Sequence, residues 1–280
     1  MPPPINRVKR SYRSVLLHGR GIMKHSCLVY TAAMCLIVFD WQPGQSQWLR
    51  LSANRDEFYQ RPAAPMHPWE NIPGLYAGKD LEQGGTWLGF RDTGRWAALT
   101  NVRAPGAGPQ NPRSRGELVT DFVESDLPVE DWLQRINCDD YAPFNLLAGT
   151  TTELWYLSNH PDRQLRRLQA GRYSLSNAQL DSPWPKAELA KEQLAQADSG
   201  FATLLNRRDP WPDEVLPATG VPILWERLLS AQFIIAPGYG TRCSTGILAS
   251  GNDVQLQEIT WNEQGENVGE RSYRLAIKDR

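Results

Sequence analysis

The chain has 280 residues, 41% hydrophobic and 22% charged, enough to bury the core of one large domain or two small ones. Its 30 Lys and Arg nearly balance its 31 Asp and Glu, and no window reaches the roughly 18 uninterrupted apolar residues that a spanning helix requires. These figures argue against a membrane span and against a strongly basic nucleic-acid binder.

Residues 1–33 hold six basic residues (Arg7, Lys9, Arg10, Arg13, Arg20 and Lys24) and no acid, so without them the net charge moves from −1 to −7. The segment opens on Pro2-Pro3-Pro4 and ends in a short run before Met34. Three readings stay open: translation starting at Met34, a targeting segment or propeptide, and an ordered element. A domain over residues 34–280 is expected to follow this leader.

From Met34 the pattern is mostly strand. Cys35–Phe39 and Trp48–Ala53, separated by Pro43-Gly44, predict a β-hairpin, and Thr86–Arg91 with Arg95–Asn101 predict a second around Asp92-Thr93-Gly94. Two helices are expected over Glu117–Ser125 and Val129–Ile136. A strand pair is expected at Phe144–Leu147 and Glu153–Leu157, and a further pair at Arg166–Leu168 and Tyr173–Leu175.

The good helix formers of Lys186–Ala197 follow Pro185 and predict the clearest helix, with another over Ile223–Phe233. Strands are expected at Gly246–Ala249, Val254–Trp261 and Glu270–Ile277. Ala104–Pro112 and Asp209–Pro222 read as loops. Antiparallel strands in runs, interrupted by blocks of helix, point to a layered α+β fold rather than a doubly wound parallel sheet.

Cys27, Cys35, Cys138 and Cys243 are scattered without a C-x-x-C pair and read as reduced thiols. His18, His25, His67 and His160 are equally dispersed, so no metal site is expected. Most of the eleven tryptophans are expected in core or rim packing, with a minority lining a pocket for a planar or greasy ligand. Lys186, after Trp184-Pro185, reads as a surface residue at a helix entry or as a cation at a pocket edge.

The sharpest local feature is Asn54-Arg55-Asp56-Glu57, four hydrogen-bonding side chains at the end of the second expected strand. Alternation places Asn54 and Asp56 on one face and Arg55 and Glu57 on the other. With Met34-Cys35, Arg61-Pro62, Gly84–Gly89, Leu99–Asn101, Ser114–Gly116, Leu175–Ala178, Pro183–Lys186 and Tyr239–Arg242, this tetrapeptide makes an ordered set. That set resembles the NRDE proteins, which include the transport and Golgi organisation protein 2 family, and it spans the chain from residue 34 to about 275.

The resemblance implies a four-layer αββα sandwich, two antiparallel sheets between helical layers, as in N-terminal-nucleophile (Ntn) hydrolases. In those enzymes the first residue of the mature chain is the nucleophile and its α-amine the base, which here implies Cys35 after removal of Met34 or of a longer leader. A thiol of pKa near ~8.5 and an α-amine near ~8 on one residue suit that chemistry, and a nearby cation favours the thiolate. Arg55 or Arg242 is the candidate cation, Asp56 the candidate partner of the amine, and Asn101 or Asn177 the candidate oxyanion donor. Asn54, Glu57 and Trp87 are candidates for substrate contact.

Because Arg55 and Asp56 are adjacent, a regular strand does not aim both at Cys35, and an uncut chain gives Cys35 no free amine. The expected function is a cysteine hydrolase of a C–N amide bond in a small acyl-amino substrate, without a cofactor. The alternative is a non-catalytic binding or trafficking protein for haem or a lipid or acyl ligand. The expected location is cytoplasmic, or organellar if residues 1–33 are a true leader; the sequence leaves oligomeric state open.

Overall fold

A hairpin opens the described part of the chain, residues 34–278 of this computed structural model. The expected leader over residues 1–33 lies outside the described residues. Strands β1 (Met34–Trp41) and β2 (Gln47–Phe58) pair antiparallel, with Cys35 opposite Arg55, Ile37 opposite Ala53 and Trp41 opposite Leu49. On β1, Ile37, Phe39 and Trp41 enter one core cluster, whereas Leu36 and Val38 enter another. The strand is therefore buried on both faces, which its unbroken apolar run demands.

Next come β3 (Ala63–Pro68), β4 (Leu75–Asp80), β5 (Leu88–Arg91) and β6 (Trp96–Asn101). Helices α1 (Glu117–Glu124) and α2 (Val129–Gln134) lead into β7 (Phe144–Gly149), β8 (Leu154–Ser158), β9 (Gln164–Arg167) and β10 (Gly171–Leu175). Helices α3 (Pro185–Gln196) and α4 (Ile223–Ser230) precede β11 (Ile235–Ala236), β12 (Tyr239–Ser250), β13 (Asp253–Trp261) and β14 (Asn267–Ala276).

The first sheet runs β10-β1-β2-β12-β13-β14, with β11 paired to β12, and the second runs β3 to β9 in chain order. Every strand pairing in both sheets is antiparallel. Phe39, Trp41 and Leu51 of the first sheet pack with Phe90, Trp96, Leu147 and Tyr156 of the second, making the core between them. On the outer face of the second sheet, Leu118, Val119 and Phe122 of α1 join Ala97, Leu99 and Leu146. On the outer face of the first, Ala187, Ala190 and Leu194 of α3 cover Leu36 and Val38. The layers are helix, sheet, sheet, helix, the α+β sandwich that the family resemblance implied.

The structure corrects several boundaries. β9 and β10 do not pair with each other: β9 closes the second sheet on β8 and β10 joins the first on β1, so the chain changes sheets between Arg167 and Gly171. β3 and β4 have no counterpart in the sequence reading, because Pro65, Pro68 and Gly78 interrupt their patterns; proline is tolerated in β3 since that strand is an edge. α4 ends at Ser230 instead of Phe233, because Gln232 and Phe233 turn their N–H groups to the Arg207 carbonyl. β12 begins at Tyr239, well before the expected Gly246.

Gly246 is needed for close approach. A Cβ there would lie 2.6 Å from the Ala202 nitrogen and 2.9 Å from the Phe201 Cβ, so the 3-10 turn Phe201–Thr203 seats directly on β12. Among the described residues no helix is long and apolar enough to cross a membrane.

Candidate active site

The antiparallel register places Cys35, Arg55 and Cys243 in one row across β1, β2 and β12. The Cys35 thiol shares the inter-sheet face with Ile37 and borders a narrow cleft with Ala53, Arg55, Trp87, Leu88 and Leu99. The cleft encloses about 220 Å³ of empty space, including its open mouth. Arg55 stacks over the Trp87 indole, its guanidinium carbon 4.5 Å from the ring centroid. One guanidinium nitrogen lies 3.5 Å from Glu57, while Nη1 is buried and has no hydrogen-bond partner among the described residues.

Trp87 is held at this place by the turn before it. Gly84 has φ of +79°, and a Cβ on Gly85 would lie 2.5 Å from the Gly116 carbonyl carbon, so only glycine lets the two backbones meet. The Thr86 N–H donates to the Gly116 carbonyl, which brings Arg115 to the same side of the molecule as Trp87. Arg115 donates to the Pro143 carbonyl and interacts electrostatically with Glu57, Arg61 and Cys35. Burial pulls its pKa down to about 10.

Asp56 stands on the opposite face, as alternation requires. Its Oδ1 accepts a 2.6 Å hydrogen bond from Thr241, and its Oδ2 is buried without a partner among the described residues. Its backbone N–H, however, donates to the Cys35 thiol. Burial raises the Asp56 carboxyl to about 6, against the opposing pull of the Thr241 hydrogen bond, Lys186 and Arg55. The adjacent pair thus divides its work: Arg55 reaches the thiol side of β1, and Asp56 lies on the side of Lys186.

Asn54, also on that second face, is saturated. Its amide donates to the Leu205 and Gln232 carbonyls at 2.8 Å each and accepts from Ser244 at 2.6 Å. Although Asn54 borders the cleft, its side chain ties β2 to the outer layer. Glu57 accepts from its neighbour's N–H at Phe58 and sits between Arg55 and Arg61.

Asn101 and Asn177 meet each other near Cys35. Asn177 Nδ2 donates to the Asn101 carbonyl at 2.9 Å, and Thr100 donates to the Ser176 carbonyl at 2.6 Å, so the end of β6 is tied to the segment after β10. Ser176 Oγ lies 3.2 Å from the Cys35 carbonyl and 3.1 Å from Asn177 Oδ1, its one proton serving either. Arg242 is placed differently. It occupies a β-bulge opposite β2, and its Nη1 donates to the carbonyls of Phe58, Tyr59 and Arg61, which fixes the exit of β2. Of the two candidate cations, Arg55 is the one beside the thiol.

Of the two sequence readings of Lys186, the surface one fails, because the residue is only 2% exposed; it stands in the first turn of α3 and lines a small cavity. Its Nζ donates to the Leu229 carbonyl at 2.9 Å, and it interacts electrostatically with Arg103, Asp56, Cys35 and Glu226. Burial and the Arg103 charge pull its pKa down to about 8. One signal was present: a lysine in the first turn of a helix opposes the macrodipole, so its place there calls for another partner. Arg115 carried no such physical mark, and only its place in Ser114–Gly116, one piece of the family resemblance, singled it out.

With the chain continuous through Met34, the Cys35 thiol is pushed up to about 12, mainly by burial and then by Asp56, with Arg55 opposing. Cys243 is likewise held well above the usual thiol range by burial and by Glu258, to which its S–H donates. Both thiols are neutral in this state.

A family model described as Transport and Golgi organisation 2 matches residues 34–263. The transport and Golgi organization protein 2 homolog of Bos taurus is 36% identical over 246 residues, covering 77% of this chain and 88% of that protein. Its Homo sapiens counterpart is 34% identical over 276 residues, covering 88% and 100%. Among solved structures, the Caenorhabditis elegans N-acylethanolamine-hydrolyzing acid amidase ortholog aligns with TM-score 0.46 at 12% identity, over 76% of this chain and 92% of that one. The chain belongs to the transport and Golgi organisation 2 family.

Proposed function

We propose that this protein is a cysteine hydrolase of C–N amide bonds, with Cys35 as nucleophile once its α-amine is exposed. The observation that carries the reading is the row Cys35–Arg55 at the start of β1, beside a cleft walled by Trp87, Leu88 and Leu99. Removal of everything before Cys35 leaves an amine on the residue whose backbone neighbour Met34 pairs with Asp56. The amine takes the thiol proton, and Arg55 stabilises the thiolate. The sulfur attacks the amide carbonyl carbon, the C–N bond breaks, and the amine leaves with the proton returned from the α-ammonium. Water then hydrolyses the thioester and regenerates the thiol.

The α-amine and Arg55 each supply part of what the buried thiol lacks. Asn101 and Asn177 hold the backbone around the oxyanion position, and Asp56 orients the amine. The substrate is a small acyl-amino compound, and the working location is cytoplasmic. The test is a panel of fluorogenic short-chain acyl amides, with wild-type protein and Cys35→Ser. Turnover with a transient acyl adduct on Cys35 in the wild type, lost in Cys35→Ser, supports the reading; no adduct across the panel refutes it.

A second reading is favoured by the state in which Met34 precedes Cys35. There the thiol is held neutral, pushed up to about 12, and the fold serves binding or transport, as the family name suggests. No histidine lines either cleft among the described residues, so neither offers haem an imidazole ligand. A lipid or acyl ligand is the cargo class this second reading retains.

A further inference from the structure

The Lys186 ammonium donates to the Leu229 carbonyl in the last turn of α4, where a cation suits the helix dipole. That contact accounts for a lysine at a helix end but not for one taken out of water, which calls for a carboxylate in its field. Two are there, Glu226 and Asp56. Glu226 is already engaged: one oxygen accepts from Arg103, and the other accepts from the Thr219 N–H and hydroxyl. Asp56 keeps an oxygen open. Its Oδ1 accepts from Thr241, whose hydroxyl is itself aligned by the Ile234 N–H, while the buried Oδ2 has no partner among the described residues. The carboxylate with capacity left to answer Lys186 is therefore Asp56.

Asp56 also faces the place where the mature chain would begin. The β1–β2 register sets it opposite Met34, so cleavage before Cys35 turns the peptide nitrogen after Met34 into an α-amine across the ladder from Asp56. Two cations then draw on one carboxylate, Lys186 and the α-ammonium. We propose, resting on the hydrolysis reading above, that Lys186 is a positioning residue that acts through Asp56 to hold the Cys35 α-amine in its neutral, proton-accepting form.

An α-ammonium beside an unopposed buried carboxylate forms an ion pair and keeps its proton, which leaves the thiol without a base. Lys186 answers Asp56 from inside the protein and repels a second ammonium, so the amine stays free. The neutral amine takes the thiol proton and later returns it to the leaving amine; Lys186 neither gives nor takes a proton. With its pKa pulled down to about 8, Lys186 holds its charge through neutral pH and loses it in mild alkali, where the amine is free in any case.

Several elements bring charge to this point. Arg55, Asp56 and Glu57 from β2, Lys186 from α3, Arg115 from the turn before α1, and Tyr239 and Cys243 from β12 interact with Cys35. Asp56 also meets Tyr59, and Lys186 meets Arg103 and Glu226. Arg55 stands on the thiol side of β1, which leaves Lys186 as the cation that answers Asp56 on the other.

The test uses the mature chain beginning at Cys35, released from a fusion by a protease that leaves no extra residue, and labelled in cysteine for carbon NMR. Cys35 signals are identified by their loss in Cys35→Ser, and the α-amine is titrated in wild type, Lys186→Gln and Lys186→Arg. The wild-type amine is expected at or below its ordinary value of about 8, and Lys186→Gln, which can still donate to the Leu229 carbonyl, raises it by about one pH unit. Lys186→Arg keeps the charge and restores the wild-type value. On the acyl-amide panel the acid limb of kcat/KM moves with the amine, a loss of about tenfold near pH ~6.5 and little change above about pH 9.5. An unmoved amine in folded Lys186→Gln, an equal shift in Lys186→Arg, or a wild-type amine well above about 8 overturns the proposal, and the last of these needs no variant to fold. The NMR titration needs no turnover either: a silent panel with a shifted amine strikes the hydrolysis reading, whereas an active panel with an unmoved amine strikes Lys186 alone.

Discussion

Cys35 and Arg55 are cross-strand partners at the open end of the first hairpin, and the Arg55 guanidinium is held over the Trp87 ring with one nitrogen without a partner among the described residues. A buried cation so close to a thiol lowers the cost of forming the thiolate, and its stacking fixes where that charge sits. Glu57 and Glu258 offset the guanidinium from two sides. Arg55 is therefore structural and electrostatic at once.

Replacing Arg55 by Met tests both roles. It leaves Glu258 buried without its cation and Glu57 with Arg61 alone, and the expected loss of stability is about 3–5 kcal/mol by chemical denaturation. Arg55→Lys keeps the charge but not the planar stack on Trp87, so stability falls less while alkylation of Cys35 by iodoacetamide slows. An Arg55→Met protein as stable as the wild type contradicts this account.

The Asp56 carboxyl, raised to about 6, gives the fold a specific dependence on pH. Between the ordinary carboxyl value and about 6 the folded state holds a proton that the unfolded chain has released, so the Asp56 contribution is full below that window and is lost as pH rises through it. Lys186, lowered to about 8, acts in the other direction higher up: stability rises with pH between about 8 and the ordinary lysine value. Asp56→Asn is expected to remove the lower limb of the stability profile, measured by urea denaturation across pH.

Lys186→Met removes the charge that opposes the rise of Asp56 and keeps the stem's volume. The Asp56 carboxyl should then titrate above 6, visible as a shifted carboxyl signal in a spectroscopic pH titration. An unshifted Asp56 would place Lys186 outside its field.

Asn54 and Gly246 anchor the outer layer to the first sheet. Asn54→Ala strands the Leu205 and Gln232 carbonyls and the Ser244 hydroxyl, and its expected cost is about 2–4 kcal/mol. Gly246→Ala drives a methyl to 2.6 Å from a backbone nitrogen and should cost about 1–3 kcal/mol, with loosening of the Phe201–Thr203 turn seen by hydrogen exchange.

The hairpin of β1 and β2, the α1 and α3 helices and the polar tetrapeptide were legible because period and turn chemistry are local signals. The separation of Arg55 from Asp56 onto two faces also followed from alternation alone. What stayed hidden depended on tertiary partners. β10 leaves β9 for β1 through long-range pairing, and β3 survives two prolines only because it is an edge. Arg242 is drawn to three carbonyls by a bulge, and Lys186 is buried by α4 and β2 rather than by anything in its own helix.

The most direct test is the N-terminal residue of the protein made from its own start region, read by intact mass and sequencing, together with the pH dependence of Cys35 alkylation. The account predicts a chain beginning at Cys35 whose thiol reacts near neutral pH. A chain that retains Met34 and alkylates Cys35 only in strong alkali, with no acyl adduct, would contradict the hydrolase.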